Sequence, residues 1–306
     1  MAARPVSTSQ PTHVIGNGTP ASCTSAAVVA AVAAGGIITF SCGPAPVTIS
    51  MQATAKVVNT SAEVVLDGGG KVTLSGGGVR RILYMDTCDP SQQWATSHCQ
   101  DQAEPQLTIQ NLAFTGGNST GQAYDGGGGG AIFDRGGQLK VINSSFLGNR
   151  CDATGPDLGG AAIRALSQYD NLPVYITGST FSGGVCSNGG ALSSIGVSWN
   201  ILNTLLSENT AVGHGANSGQ GGNGGAIYND GNEIVLDITS SLLENNKANE
   251  GGSAVFFVSN NKTGSITIQD SITRNNPAGT FETAGLPGFY VIAKAPAQNI
   301  NSQILR

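Results

Sequence analysis

The sequence predicts an all-β chain: a single-stranded right-handed parallel β-helix, a solenoid closed at its start by a short N-terminal capping helix. Three observations carry this. Short strand-like runs alternate with small polar corners, a Gly-Gly-Ala-apolar phrase recurs at roughly one-coil intervals, and one helical segment precedes them all.

The strand-like phrase reads Leu107 to Phe114, Leu139 to Asn149, Val174 to Phe181, Ile201 to Asn209, Leu236 to Asn246 and Ile266 to Ile272. Within these runs apolar residues alternate with polar ones, so one face points inward. The Gly-Gly pairs begin at 129, 159, 189, 224 and 251, at intervals of 30, 30, 35 and 27 residues. Fixed anchors at variable intervals predict a coil whose strands keep register while its loops differ in length. Glycine supplies the tight corners, and no coil buries its apolar face until the next one stacks on it. Aligning the Gly-Gly-Ala phrases places Asp134, Arg164, Ser194, Asn229 and Phe256 in one stack, and Asn149, Asn209 and Asn246 in an amide ladder. Weaker early coils are read at Ile37–Phe40, Val47–Ile49, Val64–Gly70 and Val72–Leu74, and Phe289–Ile292 finishes the last. The helix is predicted over Ser25–Ala34, with Thr24 or Ser25 as N-cap and Gly35-Gly36 as its stop. An amphipathic helix there covers strand edges that would otherwise invite aggregation.

The 306 residues therefore read as one domain, 13–306. Residues 13–45 form its cap and 85–105 a disulfide-closed insertion. Residues 1–12 are expected to be disordered. The start, Met1-Ala2-Ala3-Arg4, lacks the apolar run of a signal peptide, and the expectation is of a leader removed and a start codon added. The apolar stretch 25–34 is too short to span a bilayer. Charged residues make up 11% and the net charge is -5, with no basic stripe, so nucleic acid is not an expected partner. A monomer is expected. Six cysteines without a C-x-x-C pair predict three disulfides, Cys23–Cys42, Cys88–Cys99 and Cys151–Cys186, and an oxidising compartment. The alternative is six reduced buried thiols. Cys151 and Cys186 lie one coil apart and should meet across two stacked turns.

The Gly-Gly-Ala-(Ile/Leu) phrase alternating with Phe146-Leu-Gly-Asn149 resembles the passenger repeats of polymorphic outer-membrane autotransporters. The chain from about 13 to 294 is also similar to right-handed parallel β-helix repeat proteins of the pectate-lyase-like superfamily. Its opening, Gly18 to Cys23 and Phe40 to Ile49, resembles a cap segment of that group. The resemblance implies the fold and a secreted or cell-surface bacterial protein. It leaves activity open, because that superfamily holds lyases, hydrolases and non-catalytic passengers. The Asn-x-Asp, Asp-Asp and Gly-His cluster of polygalacturonase-type hydrolases is absent, as is the Arg-x-Pro motif of pectate lyases.

Candidate chemistry follows from the stacking. Asp134 and Arg164, outward on adjacent coils, suit a β-helix lyase: a carboxylate for base or cation, a guanidinium for a substrate's acid group. The bland alternative is a surface ion pair. Loops leaving one edge of the coil carry Tyr124, Asp125, Arg150, Asp152, Asp157, His214 and Asn217. Asp125 and Asp157 join the candidate catalytic set, as the acid pair of a glycoside hydrolase. Asp125 and Asp152, with Asp157, could hold Ca²⁺, the one cofactor considered. The alternative is that Asp and Gly are simply good turn formers. Trp94, on the 85–105 insertion, could stack on a sugar ring or cover early coils. Tyr124, Trp94, Arg150, Tyr169 and His214 form the candidate substrate-binding set. Two functions remain open: a secreted carbohydrate-active lyase or glycoside hydrolase working on a polysaccharide in a loop-side groove, or a non-catalytic adhesin or glycan-binding β-helix.

Overall fold

A computed structural model describes residues 4–122 and 127–306. Every ladder in its three sheets is parallel, and strands separated by a full coil lie next to each other. A representative turn runs Val174–Thr177, Thr180–Ser182, Val185–Cys186 and Leu192–Ile195. The first two strands belong to a 17-stranded sheet (face A), the third to a 3-stranded sheet (face C) and the fourth to an 8-stranded sheet (face B). This is a parallel β-helix.

Inward columns fill the core. Ile109, Val141, Ile176, Ile201, Ile238 and Ile268 stack on face A, and Leu83, Ile132, Ile163, Leu192, Ile227, Val255 and Phe289 face them from face B. All are nearly or wholly buried in one cluster. Phe146 sits between Phe114 and Phe181, with centroids 4.9 and 4.7 Å away and rings almost parallel. Leu206 and Leu243 continue that column where the sequence changes from Phe to Leu.

The corners explain the polar half of each phrase. At the turn inside face A, Asn111, Asn143, Gly178, Asn203, Ser240, Asp270 and Asn301 all have φ between 47° and 61°. Asn, Asp and Gly suit this left-handed conformation. The next residue is Ser or Thr in most coils, and its hydroxyl links them. Ser241 Oγ, for example, donates to Thr239 O (2.8 Å) and accepts from Thr204 N of the preceding coil (3.1 Å). The amide ladder differs from its expected membership. Asn209 Nδ2 donates to Asn246 Oδ1, and Asn246 Nδ2 to Asn276 Oδ1, each at 3.0 Å. Asn149 stands apart, because Gly184 occupies the intervening rung and its N–H is capped by Asn209 Oδ1. A Cβ on Gly184 would lie 2.0 Å from Gly190 O, so no ladder side chain fits there.

The helix α1, Ser25–Ala34, forms as expected, capped by Thr24, whose side chain accepts from Ala27 N, and stopped at Gly35 with φ 76°. Ser25, Val28, Ala31 and Val32 are buried along one stripe. Its opposite side is alanine-rich and not polar, so burial, more than residue polarity, defines the two faces. The disulfides are Cys23–Cys42, Cys88–Cys99 and Cys151–Cys186, the pairing expected. Residues 4–12, within the segment expected to be disordered, are held to face A. Val6 exchanges hydrogen bonds of 2.9 and 3.0 Å with the Gln110 amide, and Thr8 Oγ1 donates to Asp67 (2.9 Å). Among the described residues no helix is long and apolar enough to cross a membrane.

Candidate functional site

The outer side of face B lies under the long loops, and its register decides which side chains they can reach. Ile163 pairs with Ile132, so Arg164 pairs with Phe133, and Ala165 pairs with Asp134. The coil holding Gly159-Gly160-Ala161-Ala162-Ile163 carries one residue more before its inward Ile than Gly129-Gly130-Ala131-Ile132 does. In a strand a shift of one residue moves a side chain to the other face. The expected Asp134–Arg164–Ser194–Asn229–Phe256 stack therefore separates into two. Met85, Asp134, Ala165, Ser194, Asn229 and Phe257 point inward; Tyr84, Phe133, Arg164, Ser193, Tyr228 and Phe256 point outward.

Asp134 is fully buried within the coil. Gln168 Nε2 donates to its Oδ2 at 2.6 Å, and its Oδ1 has no partner among the described residues. Burial raises its pKa well above the ordinary carboxylate value. Arg164, 2% exposed, donates from Nη1 to Ser193 Oγ at 2.9 Å. Burial lowers its pKa to about 10. The pair thus lies on opposite sides of one sheet, and neither residue opens onto solvent. Asp157 is exposed, on a loop clamped by Asn188 Nδ2, which donates to the carbonyls of Gly155, Pro156 and Leu158 at 3.1, 2.7 and 3.2 Å. Tyr124 and Asp125 lie outside the described residues.

The remaining sequence candidates are scattered. Arg150 is an exposed corner residue bridging Asn118 and Val185. Asp152 Oδ1 accepts from Gly121 N at 2.8 Å. Among the described residues no three His, Cys, Asp or Glu side chains come together as metal ligands. Tyr169 begins the short 3₁₀ helix Tyr169–Asn171, where Asp170 N donates to Asp101 Oδ1 at 2.7 Å. His214 is exposed, 3.8 Å from Glu250 and 3.1 Å from the Asn249 amide, on a distant loop.

Trp94 is the exception. Its insertion is stiffened from within: Asp86 accepts from Cys88 N (2.8 Å), Asp89 accepts from Ser91 N (2.9 Å), and Cys88–Cys99 closes the loop. Burial raises the Asp86 pKa. Burial also pushes Asp89 upward, but hydrogen bonds from Ser91, Tyr84 and Gln92 outweigh it and leave the pKa lowered. From the coil beneath, Asn59 Nδ2 donates to Asp89 O (3.1 Å) and Trp94 O (2.5 Å). The Trp94 backbone is therefore tied to the coil while its side chain stays 46% exposed. It lines a groove of about 460 Å³ with Asn59, Thr60, Gln102, Ala103 and Glu104. An exposed indole on a rigid support is a platform for an apolar ring face, and the flanking polar groups suit hydroxyls. Asn59 and Glu104 were not singled out from sequence. They lie on different coils, and the pairing of Gln106 with Glu63 is what brings their segments together. A larger groove of about 650 Å³ runs past Glu208, Thr210, Asn245, Lys247, Asn275 and Arg306, but no aromatic is among the described residues that line it, and Arg306 is engaged by Glu282.

Fold and loops thus define a disulfide-braced parallel β-helix with an aromatic surface groove. Over 141 residues, 42% of the chain, it is 31% identical to the Probable autotransporter YfaL of Escherichia coli (strain K12). The chain spans 10% of that protein's length. No family model matches the chain, and no solved structure matches it.

Proposed function

We propose that this chain is an extracellular β-helix that binds a polysaccharide through the Trp94 groove and does not cleave it. The half-exposed Trp94 on its disulfide-closed support carries the reading. The placement outside the cell is supported by three disulfides and by similarity to a protein named as a probable autotransporter. Binding is preferred over turnover because a general acid, base or nucleophile must come within hydrogen-bond reach of its substrate. Asp134 faces the core, and Arg164 lies beneath the loops on the other side of the sheet.

The test is a panel of neutral, amine-bearing and uronate oligosaccharides, titrated against the protein and Trp94→Ala and then assayed for products, with and without Ca²⁺. The expected result is saturable binding by the native chain, weakened roughly tenfold or more by Trp94→Ala, with no new reducing ends and no unsaturated sugars. Loss of a stacked ring costs about 1–3 kcal/mol in comparable base–aromatic platforms, and about 1.4 kcal/mol is tenfold. Product formation would overturn the non-catalytic part of the reading, and binding indifferent to Trp94→Ala would overturn the site.

A further inference from the structure

We infer that the Trp94 groove selects sugars carrying protonated amines and disfavours uronates; this rests on the carbohydrate-binding reading above. Charge decides the selectivity. Glu104 is the only charged residue lining the groove among the described residues. The supporting loop adds Asp86, Asp89 and Asp101. From residue 82 to 122 the chain contains four Asp or Glu, Asp86, Asp89, Asp101 and Glu104, and no Lys or Arg. Two cations touch this region without lining the groove: Arg135 approaches Asp86 at 4.0 Å and offsets part of that loop's charge, and Lys56 lies over the Tyr84 ring at 4.9 Å.

The polar atoms agree with the charge. Asn59 is 1% exposed and spends its Nδ2 donors on Asp89 O and Trp94 O, so it has none left for a carboxylate. Gln102 is occupied, donating to Glu104 O (2.8 Å) and accepting from Thr96 (3.3 Å). The groove therefore offers a carboxylate and an electron-rich indole face, both of which favour an ammonium group. A uronate carboxylate would meet Glu104 with like charge, and no Arg is among the described residues that line the groove.

The test compares tetraglucosamine, tetra-N-acetylglucosamine and tetragalacturonate by calorimetric titration at about pH 6, where a free amino group is protonated. Tetraglucosamine should bind roughly fivefold tighter than the neutral tetramer, the scale of one exposed ion pair, with tetragalacturonate weakest. That advantage should fall below about twofold in Glu104→Gln and at about 0.5 M salt, where exposed charges are screened. Tetraglucosamine affinity should fall further in Glu104→Gln than neutral-tetramer affinity does. Tetragalacturonate equal to or tighter than tetraglucosamine, or an advantage that survives both Glu104→Gln and high salt, would overturn the selectivity while leaving sugar binding intact. Absence of binding by every tetramer would overturn both readings.

Discussion

Replacing Asp134 with Asn separates a structural carboxyl from a catalytic one, and pH is the variable that reads the difference. Asp134 is fully buried, with one hydrogen bond from Gln168 and one oxygen unpartnered among the described residues. Burial holds its pKa in the folded chain well above the ordinary aspartate value, so the native state keeps the proton more tightly than the unfolded state does. The stability this supplies is fully present below the unfolded pKa of about 3.9 and is lost as pH rises towards and through the folded pKa. While the unfolded residue is ionised and the folded one protonated, the loss is about 1.4 kcal/mol per pH unit. The Asp134→Asn side chain would not titrate. It can rotate to accept the Gln168 bond, but its own amide donors would be buried, adding a constant offset of about 1–3 kcal/mol. Urea unfolding of both proteins at half-unit steps from about pH 4 to 8 should give a stability difference that drifts in favour of Asp134→Asn as pH rises. Contributions from Asp89, present in both proteins, cancel in that difference. A flat difference, or one drifting the other way, would refute a buried, proton-holding Asp134.

Further predictions concern the coil. Phe146→Ala removes the middle ring of a buried stack and should cost about 3–5 kcal/mol, whereas the neighbouring Leu147→Ala, on a side chain 44% exposed, should cost about 0.5 kcal/mol or less; thermal melts followed by circular dichroism compare them. Asn246→Ala removes four buried hydrogen bonds, those from Asn209 N and Nδ2 and those to Leu206 O and Asn276 Oδ1, and each group left unsatisfied adds about 1–3 kcal/mol to its loss in denaturant midpoint. Gly184→Ala should lower the melting temperature more than Gly148→Ala. The first Cβ meets Gly190 O, while the second has open space and carries only the left-handed backbone cost of about 1 kcal/mol.

The coil was legible in sequence because its rules are local. Apolar alternation, left-handed corner residues and Gly-Gly phrases each act within a few residues, and Thr24 and Gly35 bracket the helix by capping chemistry alone. Cys151 and Cys186 could be paired because one coil separates them. The face of each side chain was harder to read, since it depends on register between coils. Aligning on the glycines misplaced Arg164; aligning on the inward Ile132 and Ile163 would have shown the extra residue. Aligning the ladder coils in the same way exposes Asn276, since Arg274-Asn275-Asn276 repeats Glu244-Asn245-Asn246 in register. The groove was half legible. Trp94 on a cysteine-closed loop signalled a ring platform, but Asn59 and Glu104 converge on it only through stacking that no short motif records.

A crystal structure of the protein soaked with the tightest-binding oligosaccharide of the panel tests the account most directly. It should show a sugar ring lying flat on the Trp94 indole within reach of Glu104, and an intact glycosidic chain. A sugar bound against face A or in the Lys247 groove, with Trp94 bare, would contradict it.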